Sequence, residues 1–458
     1  MEIILALVLC LPALLALSFV KGPLRNAFLL FFGFLLIVHT IGFLFYQNTS
    51  LSFLERFIPE LLFVGGLSIL AIFMGLFEDV KSSTAESHDY RLLFRISLVL
   101  NVAVGLFFFG GLPEIPLIML EGMLTGQSYA FAGDISNARY EITKAAYFGG
   151  ENSGRGIFKV FITNGFLCSG FFTSQIDDKG WSRRLRFAFL LFWAFILLTA
   201  DGTRSGFLLF LLSLGFFKFL RHSTDVALNT TDAAIKGTSA ALSGLPLAFV
   251  AAVIITAANN KGAAIFAESG IFSVFDKVVE RIFFGNAQND VFVLELVKDK
   301  ILALGWGSGL WNEIKLAIPG ISGQSFYYVL FEMIGNEKSF YVSGSRNIGS
   351  TYLTGTIGGR ALLDFGPNFV FLYSFLIIGT FWLALRLTTI LKIDKYASSQ
   401  VIFLFGTMPL GSITSFLINI LFVATLVIIY RQIATLIAGH AQQRDIPARP
   451  QPSTQDDR

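Results

Sequence analysis

Runs of apolar residues separated by polar segments dominate the chain. A run of about 20 apolar residues crosses the roughly 30 Å of bilayer hydrocarbon as an α-helix, so the runs predict about 11 membrane-spanning helices. Pro409 and Gly411 favour a tight turn between the last two runs over a kink within one helix. The predicted spans are Ile3–Val20, Ala27–Tyr46, Pro59–Phe77, Leu92–Gly110, Ile157–Gln175, Phe187–Ala200, Gly206–Leu220, Ala241–Ala258, Pro367–Leu385, Val401–Leu410 and Ser412–Tyr430.

Two long segments are too polar to span a membrane and divide the chain. We expect an all-α polytopic membrane protein with helices 1–4 in residues 1–110, a loop over 111–156, helices 5–8 over 157–258, a large loop over 259–366, carboxyl-terminal helices over 367–437 and a disordered tail over 438–458. A long loop set inside a membrane protein is usually functional. The alternative is a folded cap that only braces the helices.

Composition agrees with this class. Hydrophobic residues make up 54% of the chain, charged residues make up 14%, and the net charge is only +3. A soluble domain could not cover so much apolar surface, whereas lipid solvates it. The basic residues lie between apolar runs, so no nucleic-acid partner is expected. Cys10 and Cys168 lie within apolar runs, which is typical of packed thiols.

The distribution of basic residues predicts the orientation in the membrane. Short loops on one side carry most of them, and the opposite short loops carry only Arg56 and Arg204. The crowded side should be cytoplasmic, which places the amino terminus and both long loops outside and the carboxyl terminus inside. The crowded loops hold Lys21, Arg25, Lys179, Arg183, Arg184, Arg186, Lys218, Arg221, Lys392, Lys395 and Arg431.

Six arginines then share the external side, and several have glycine or serine neighbours. Arginine presents a planar fork of donors that grips phosphate oxygens, and small neighbours let a phosphate approach the backbone. We expect Arg204 and Arg360 to line an outward-facing cavity with Arg281 or Arg346. The alternative is that these arginines pair with a carboxylate or a lipid headgroup. For Arg204, a pair with Asp201 would simply stabilise the helical hairpin. The candidate substrate contacts are Arg139, Tyr140, Arg155, Asp201, Arg281 and Arg346.

No metal site and no cofactor are predicted, because the loops lack a ligand cluster and a nucleotide-binding motif. None of the four histidines lies in the long loops, and His39 is expected to be a hydrogen-bonded interior residue. An acid–base group would then come from a carboxylate, whose charged form a nearby arginine favours. Glu141 and Asp290 are the catalytic candidates, together with Arg204 and Arg360. The other external carboxylates are Asp201, Glu295, Glu332 and Asp364.

Two local patterns carry a resemblance to a family. Thr203-Arg204-Ser205-Gly206 stands between two apolar helices, and the large loop ends Ser350-Thr351-Tyr352-Leu353 … Leu363-Asp364-Phe365-Gly366-Pro367 before a span. This layout resembles that of bacterial O-antigen and exopolysaccharide repeat-unit polymerases (Wzy type). The related O-antigen ligases share the layout but have a histidine in the large loop. The absence of a histidine there favours a polymerase over a ligase.

The resemblance implies a metal-independent, GT-C-like membrane glycosyltransferase of the bacterial inner membrane. Such an enzyme transfers a growing glycan from undecaprenyl pyrophosphate to another lipid-linked repeat unit on the outer side. Its partners would be the lipid-linked oligosaccharide, membrane lipid, and a chain-length regulator and flippase of the same pathway. A transporter is the rival and would place charges deep inside spans, whereas these spans look nearly uncharged apart from helix-end residues such as Arg95 and Arg386. A non-catalytic assembly partner is a third possibility.

Overall fold

The computed structural model describes residues 2–47, 49–77, 89–125, 153–177, 180–200, 205–225, 287–299, 306–317, 356–390 and 395–444, with a few positions between 270 and 279. All regular structure in these ranges is helical. The helices are α1 (Glu2–Phe19), α2 (Gly22–Leu35), α3 (Ile41–Phe45), α4 (Phe53–Phe77), α5 (Tyr90–Phe109), α6 (Glu114–Thr125), α7 (Ser153–Gln175), α8 (Trp181–Leu198), α9 (Ser205–Asp225), α10 (Ala287–Lys298), α11 (Ser308–Ala317), α12 (Ile357–Phe369), α13 (Phe371–Ile390), α14 (Lys395–Gly406) and α15 (Ile413–Arg444).

Five stretches of helix within the described residues are long and apolar enough to cross a membrane, which confirms a helical membrane protein. Gly206–Phe217 and Phe371–Leu387 are shorter apolar helices. The predicted span Ala241–Ala258 lies outside the described residues, so the total of 11 stays a prediction. The five are Glu2–Phe19, Leu24–Phe45, Phe53–Phe77, Tyr90–Phe109 and Ile413–Ile437.

Three irregular points shape these helices. A π-helical turn over Leu36–Thr40 joins α2 to α3 within one apolar stretch. Gly366, at φ 72° and ψ 174°, interrupts α12 just before Pro367, a conformation that glycine adopts without steric cost. A 3₁₀ turn over Met408–Leu410 separates α14 from α15, which confirms the predicted turn. The helix α15 itself continues to Arg444, beyond the expected start of the tail.

Aromatic side chains hold the centre of the bundle together. The rings of Phe381 on α13 and Phe405 on α14 stack with centroids 3.7 Å apart. Phe31 on α2 also stacks on Phe405, with centroids 4.8 Å apart, and Phe28 meets Phe405 edge-on at 5.3 Å. Offset stacks and edge contacts add to the packing energy of large apolar rings. This aromatic layer fixes α2, α13 and α14 relative to one another.

A chain of polar side chains joins α5, α7 and α15. The Tyr430 hydroxyl donates to the Asn101 Oδ1 (3.1 Å), and the Asn101 amide donates to the Ser169 hydroxyl (3.2 Å). Gly165 lies directly against the Asn101 side chain, where a β-carbon would overlap the amide. Small residues let membrane helices approach closely enough for such interhelical hydrogen bonds. Cys168, buried beside this network, and Cys10 are not joined in a disulfide, which agrees with the predicted packed thiols.

We expect Gly165→Ala to destabilise the protein by about 1–3 kcal/mol, because its methyl group displaces Asn101 from a packed interface. The matched control is Gly379→Ala on α13, where a β-carbon meets nothing within 4 Å. Melting temperatures in the same detergent provide the measurement. Equal melting temperatures for the two variants would contradict the close approach of α5 and α7.

Candidate functional site

His39 lies in the π-helical turn and places its imidazole between two carboxylates. Its Nδ1 is 2.8 Å from the Asp290 Oδ2, and its Nε2 is 2.9 Å from the Glu60 Oε2. The ring also stacks on Phe43, with centroids 5.0 Å apart. His39, Glu60 and Asp290 are 1%, 2% and 0% exposed. Because each ring nitrogen faces a carboxylate, the imidazole is placed to pass a proton between Glu60 and Asp290.

Thr356 connects this triad of His39, Glu60 and Asp290 to α12. As the N-cap of that helix, its hydroxyl accepts from the Gly358 N–H (3.1 Å) and donates to the Asp290 Oδ2 (2.7 Å). The Thr356 N–H donates to the other Asp290 oxygen (3.1 Å), and the Thr356 Oγ1 lies 2.9 Å from the His39 Nδ1. The Asp290 carboxylate therefore lies at the amino end of α12, where the helix dipole favours a negative charge.

Two glycines in the first turn of α12 make this approach possible. A β-carbon at Gly358 would overlap the His39 imidazole, and one at Gly359 would overlap the Asp290 carboxylate. Any larger residue would push α12 away from the triad. The Gly358-Gly359 pair thus sets the distance between α12 and the buried acid–base groups.

Arg360 follows directly and adds the positive charge of the site. It is 7% exposed and close enough to Asp290 and Asp364 for both carboxylates to act on its guanidinium. Burial lowers the pKa of Arg360 below its ordinary value, and the two carboxylates oppose that shift. An arginine stays charged in a protein even so, and a buried charge requires nearby opposite charge. The carboxylates of Asp290 and Asp364 supply it.

Asp364, one turn further along α12, has a structural task. Its Oδ1 accepts from the backbone N–H groups of Gly309 (2.7 Å) and Leu310 (3.3 Å), which caps the amino end of α11. Burial raises the pKa of this carboxyl to about 6, although the two N–H donors and Arg360 act in the opposite direction. Asp364 therefore holds α11 against α12 and titrates close to neutral pH.

Polar contacts also fix the segment between α3 and α4. The buried Arg56 donates through Nη1 to the carbonyl oxygens of Phe43 (3.0 Å) and Tyr46 (2.8 Å), and so caps the carboxyl end of α3. Glu295 on α10 accepts from the Thr49 hydroxyl (2.6 Å) and from the Ser50 N–H (2.9 Å). These bonds hold α10 against this segment, which keeps Asp290 next to His39. Glu295 is thereby engaged in a structural role.

Two of the ten predicted site residues, Asp290 and Arg360, meet in this cluster. Arg155 lies within α7, but its side chain is outside the described residues. The structure therefore brings together one predicted acid–base group and one predicted cation, and the wider arginine cavity stays a prediction. Outside the described residues lie Arg139, Tyr140, Glu141, Asp201, Arg204, Arg281 and Arg346.

The sequence interpretation missed Glu60 and Thr356 and underrated His39. The expectation of nearly uncharged spans overlooked Glu60, which lies within the apolar helix α4 and is buried. An ionisable residue inside an apolar span is costly and usually functional, so its position in that run was an available signal. The interior, hydrogen-bonded state expected for His39 is confirmed.

We expect His39→Ala to cost about 3–5 kcal/mol of stability, because it leaves the buried Glu60 and Asp290 without the group between them. Adding Glu60→Gln to that variant should recover part of the loss, because one fewer charge is then buried. Ser68→Ala, also buried on α4, is the control, since its hydroxyl only donates to the Val64 carbonyl of its own helix. No recovery in the double variant, measured by melting temperature, would contradict the proposed coupling.

The raised pKa of Asp364 predicts a pH dependence. Between the ordinary value of 3.8 and about 6, the folded protein binds this proton and the unfolded chain does not. Stability from this group therefore increases as the pH falls through 6 and is lost as the pH rises. Asp364→Asn keeps an oxygen acceptor but removes the titration. The melting-temperature difference, wild type minus Asp364→Asn, should grow between pH 7.5 and pH 5.

The control for this titration is Asp299→Asn, which removes the same charge at an exposed position. The Asp364 assignment would be wrong if the wild type and Asp364→Asn kept a constant difference across that pH range. It would also be wrong if the control variant produced the same change.

Comparison with known proteins does not identify a family for the chain. No family model, no curated protein and no solved structure matches it. Function has therefore to be inferred from the buried acid–base cluster and from the sequence pattern.

Proposed function

We propose that the protein polymerises undecaprenyl-pyrophosphate-linked oligosaccharide repeat units into a surface polysaccharide, on the outer side of the bacterial inner membrane. The observation that supports this most is the meeting of Asp290 and Arg360 in one buried cluster. The sequence pattern identified Asp290 as a candidate acid–base group and Arg360 as a candidate phosphate contact. Together they form the minimum machinery for a metal-independent glycosyl transfer.

The transfer needs a base and a cation. The acceptor hydroxyl oxygen bonds to the anomeric carbon of the donor glycan while the bond from that carbon to the pyrophosphate oxygen breaks. Asp290 takes the hydroxyl proton, and His39 and Glu60 behind it can share the gained proton. The Arg360 guanidinium stabilises the negative charge that develops on the leaving pyrophosphate. In a site with little water these charge interactions are stronger than at an open surface.

Access to Asp290 is part of the proposal, because this side chain is 0% exposed. The amino end of α12 covers it, so α12 has to move for the acceptor to reach the carboxylate. Three contacts on Asp290 come from the Thr356 N–H, the Thr356 hydroxyl and the His39 imidazole, and an acceptor hydroxyl can replace the Thr356 hydroxyl. Closure after binding then excludes water from the reaction.

The depth of the cluster favours chemistry at a membrane surface. His39 and Glu60 lie within about 10 Å of the helix ends at Phe45 and Phe53, given a rise of about 1.5 Å per residue. The predicted orientation puts those ends outside. A polyprenyl pyrophosphate has its phosphates at the headgroup level, so this depth suits its reacting centre. Trp306 and Trp311, which are 64% and 57% exposed beside α12, offer faces for sugar stacking.

The proposal includes the finer architecture, namely about 11 spans in a GT-C-like arrangement with two external loops. It needs no metal and no cofactor. A flippase of the same pathway would deliver the repeat unit, and a chain-length regulator would act on the product. Under this proposal the remaining external arginines would contact the second phosphate or the sugars of the two substrates.

A proton-coupled transporter of lipid-linked sugars is the second candidate. The observation in its favour is the burial of ionisable His39 and Glu60 inside apolar spans, which is typical of proton relays. Vesicles loaded with labelled repeat units separate the two functions. A polymerase lengthens the glycan without moving it across the bilayer, whereas a transporter moves it without lengthening it.

Polymer synthesis from purified lipid-linked repeat units tests the primary proposal. Asp290→Asn should lower the rate by about 10²- to 10⁴-fold, the usual contribution of a positioned base. Arg360→Ala should lower it by about 30- to 1,000-fold, which corresponds to about 2–4 kcal/mol of transition-state charge stabilisation. Arg360→Lys should recover part of that loss, because lysine keeps the charge without the fork.

The matched control lies on the same helix as Asp290. Lys298 pairs with Glu55 at 2.7 Å, but the two side chains are 48% and 41% exposed. Lys298→Gln should leave polymer length and amount unchanged, because exposed ion pairs contribute little. Polymer of normal length and amount from Asp290→Asn, at normal protein abundance, would overturn the proposal.

A further inference from the structure

A cavity lined by arginines lies between α5, α7 and α8, on different elements from the His39 cluster. Its volume is about 490 Å³, within the range of small-molecule sites. Arg91 and Arg95 line it from the first turns of α5, and Arg186 lines it from α8 with Ser182 beside it. The described residues that line the cavity include no carboxylate. Three guanidinium groups around one space make a site for an anion.

The start of α8 strengthens this assignment. Its N-cap is Gly180, which has no side chain to cap the helix, and the first turn carries no acidic residue. That turn holds Arg183 and Arg184, whose positive charges oppose the positive end of the helix dipole. An anion beside Ser182 and Arg186 offsets both the dipole and the arginines. The amino end of α8 and the arginines thus favour the same kind of ligand.

The remaining walls of the cavity are apolar, which favours a lipid over a free phosphate. Phe94 and Ile176 form a buried apolar side, and Leu185 and Phe189 are exposed apolar residues along α8. A free phosphate makes no use of apolar walls, whereas acyl chains lie along them. Basic residues at this end of the bundle place it on the cytoplasmic side, where the leaflet carries anionic lipid.

We propose that this cavity binds the phosphodiester headgroup of an anionic phospholipid of the cytoplasmic leaflet, with Arg91, Arg95 and Arg186 around the phosphate. The lipid then links the start of α5 to the start of α8. Because this site and the His39 cluster are built from different helices, neither proposal depends on the other.

Lipid retention by the purified full-length protein tests the site. Native mass spectrometry would count bound phosphatidylglycerol after exposure to vesicles of phosphatidylglycerol or of phosphatidylcholine. We expect the wild type to retain phosphatidylglycerol and not phosphatidylcholine. The variant Arg91→Gln/Arg95→Gln/Arg186→Gln should weaken retention by at least about tenfold, given the contribution of each basic residue near an anionic surface.

The control removes the same charge from the same side of the membrane without touching the cavity. Lys21→Gln/Arg25→Gln/Arg386→Gln, at positions that do not line the cavity, should retain the lipid as the wild type does. The single change Arg95→Glu, at an exposed position, gives a second variant if the triple variant fails to fold, and it should also lose the lipid. Equal loss in the control, or unchanged binding in the cavity variants, would overturn the proposal. Displacement of the lipid by inorganic phosphate at matched concentration would also overturn it.

Discussion

The contact between the His39 imidazole and the carboxylates of Glu60 and Asp290 is the interaction on which the site depends. Burying carboxylates among apolar helices costs several kcal/mol for each charge unless partners compensate it. His39 compensates both at once, at 2.9 Å and 2.8 Å. The groups come from the π-helical turn, from α4 and from α10, so satisfying the charges also fixes these elements. Thr356 extends the connection to α12 across 317 residues of sequence.

The positions of α12 and of the π-helical turn follow from that contact. A π turn adds a residue to the helical repeat, and such turns frequently occur at functional sites. Here the turn carries His39, whose ring approaches the amino end of α12 because Gly358 lacks a side chain, and Gly359 leaves the same room for Asp290. Arg360 then follows in the same turn of helix, beside Asp290 and Asp364. The start of α12 thus brings the helix dipole, the N-cap Thr356 and the cation Arg360 to the buried Asp290.

Much of the helical layout was predictable, whereas the site was predictable only in its parts. Apolar length gives the spans, and Pro409 with Gly411 gives a turn, because both are local properties. Asp290 and Arg360 were identifiable as chemistry-bearing residues in a large loop. Their meeting with His39 depends on contacts between distant segments and on a π turn, and hydropathy contains neither. Glu60 was overlooked because a single carboxylate barely changes the average of a long apolar run.

The nitrogen signals of ¹⁵N-labelled histidine test the central contact most directly. The chain has only four histidines, so the spectrum of His39→Gln identifies the His39 signals by subtraction. The account predicts that both ring nitrogens of His39 are hydrogen-bonded and protected from solvent. Glu60→Gln should then shift the Nε2 signal, and Asp290→Asn should shift the Nδ1 signal. His39 signals that exchange with solvent and stay unchanged in both variants would contradict it.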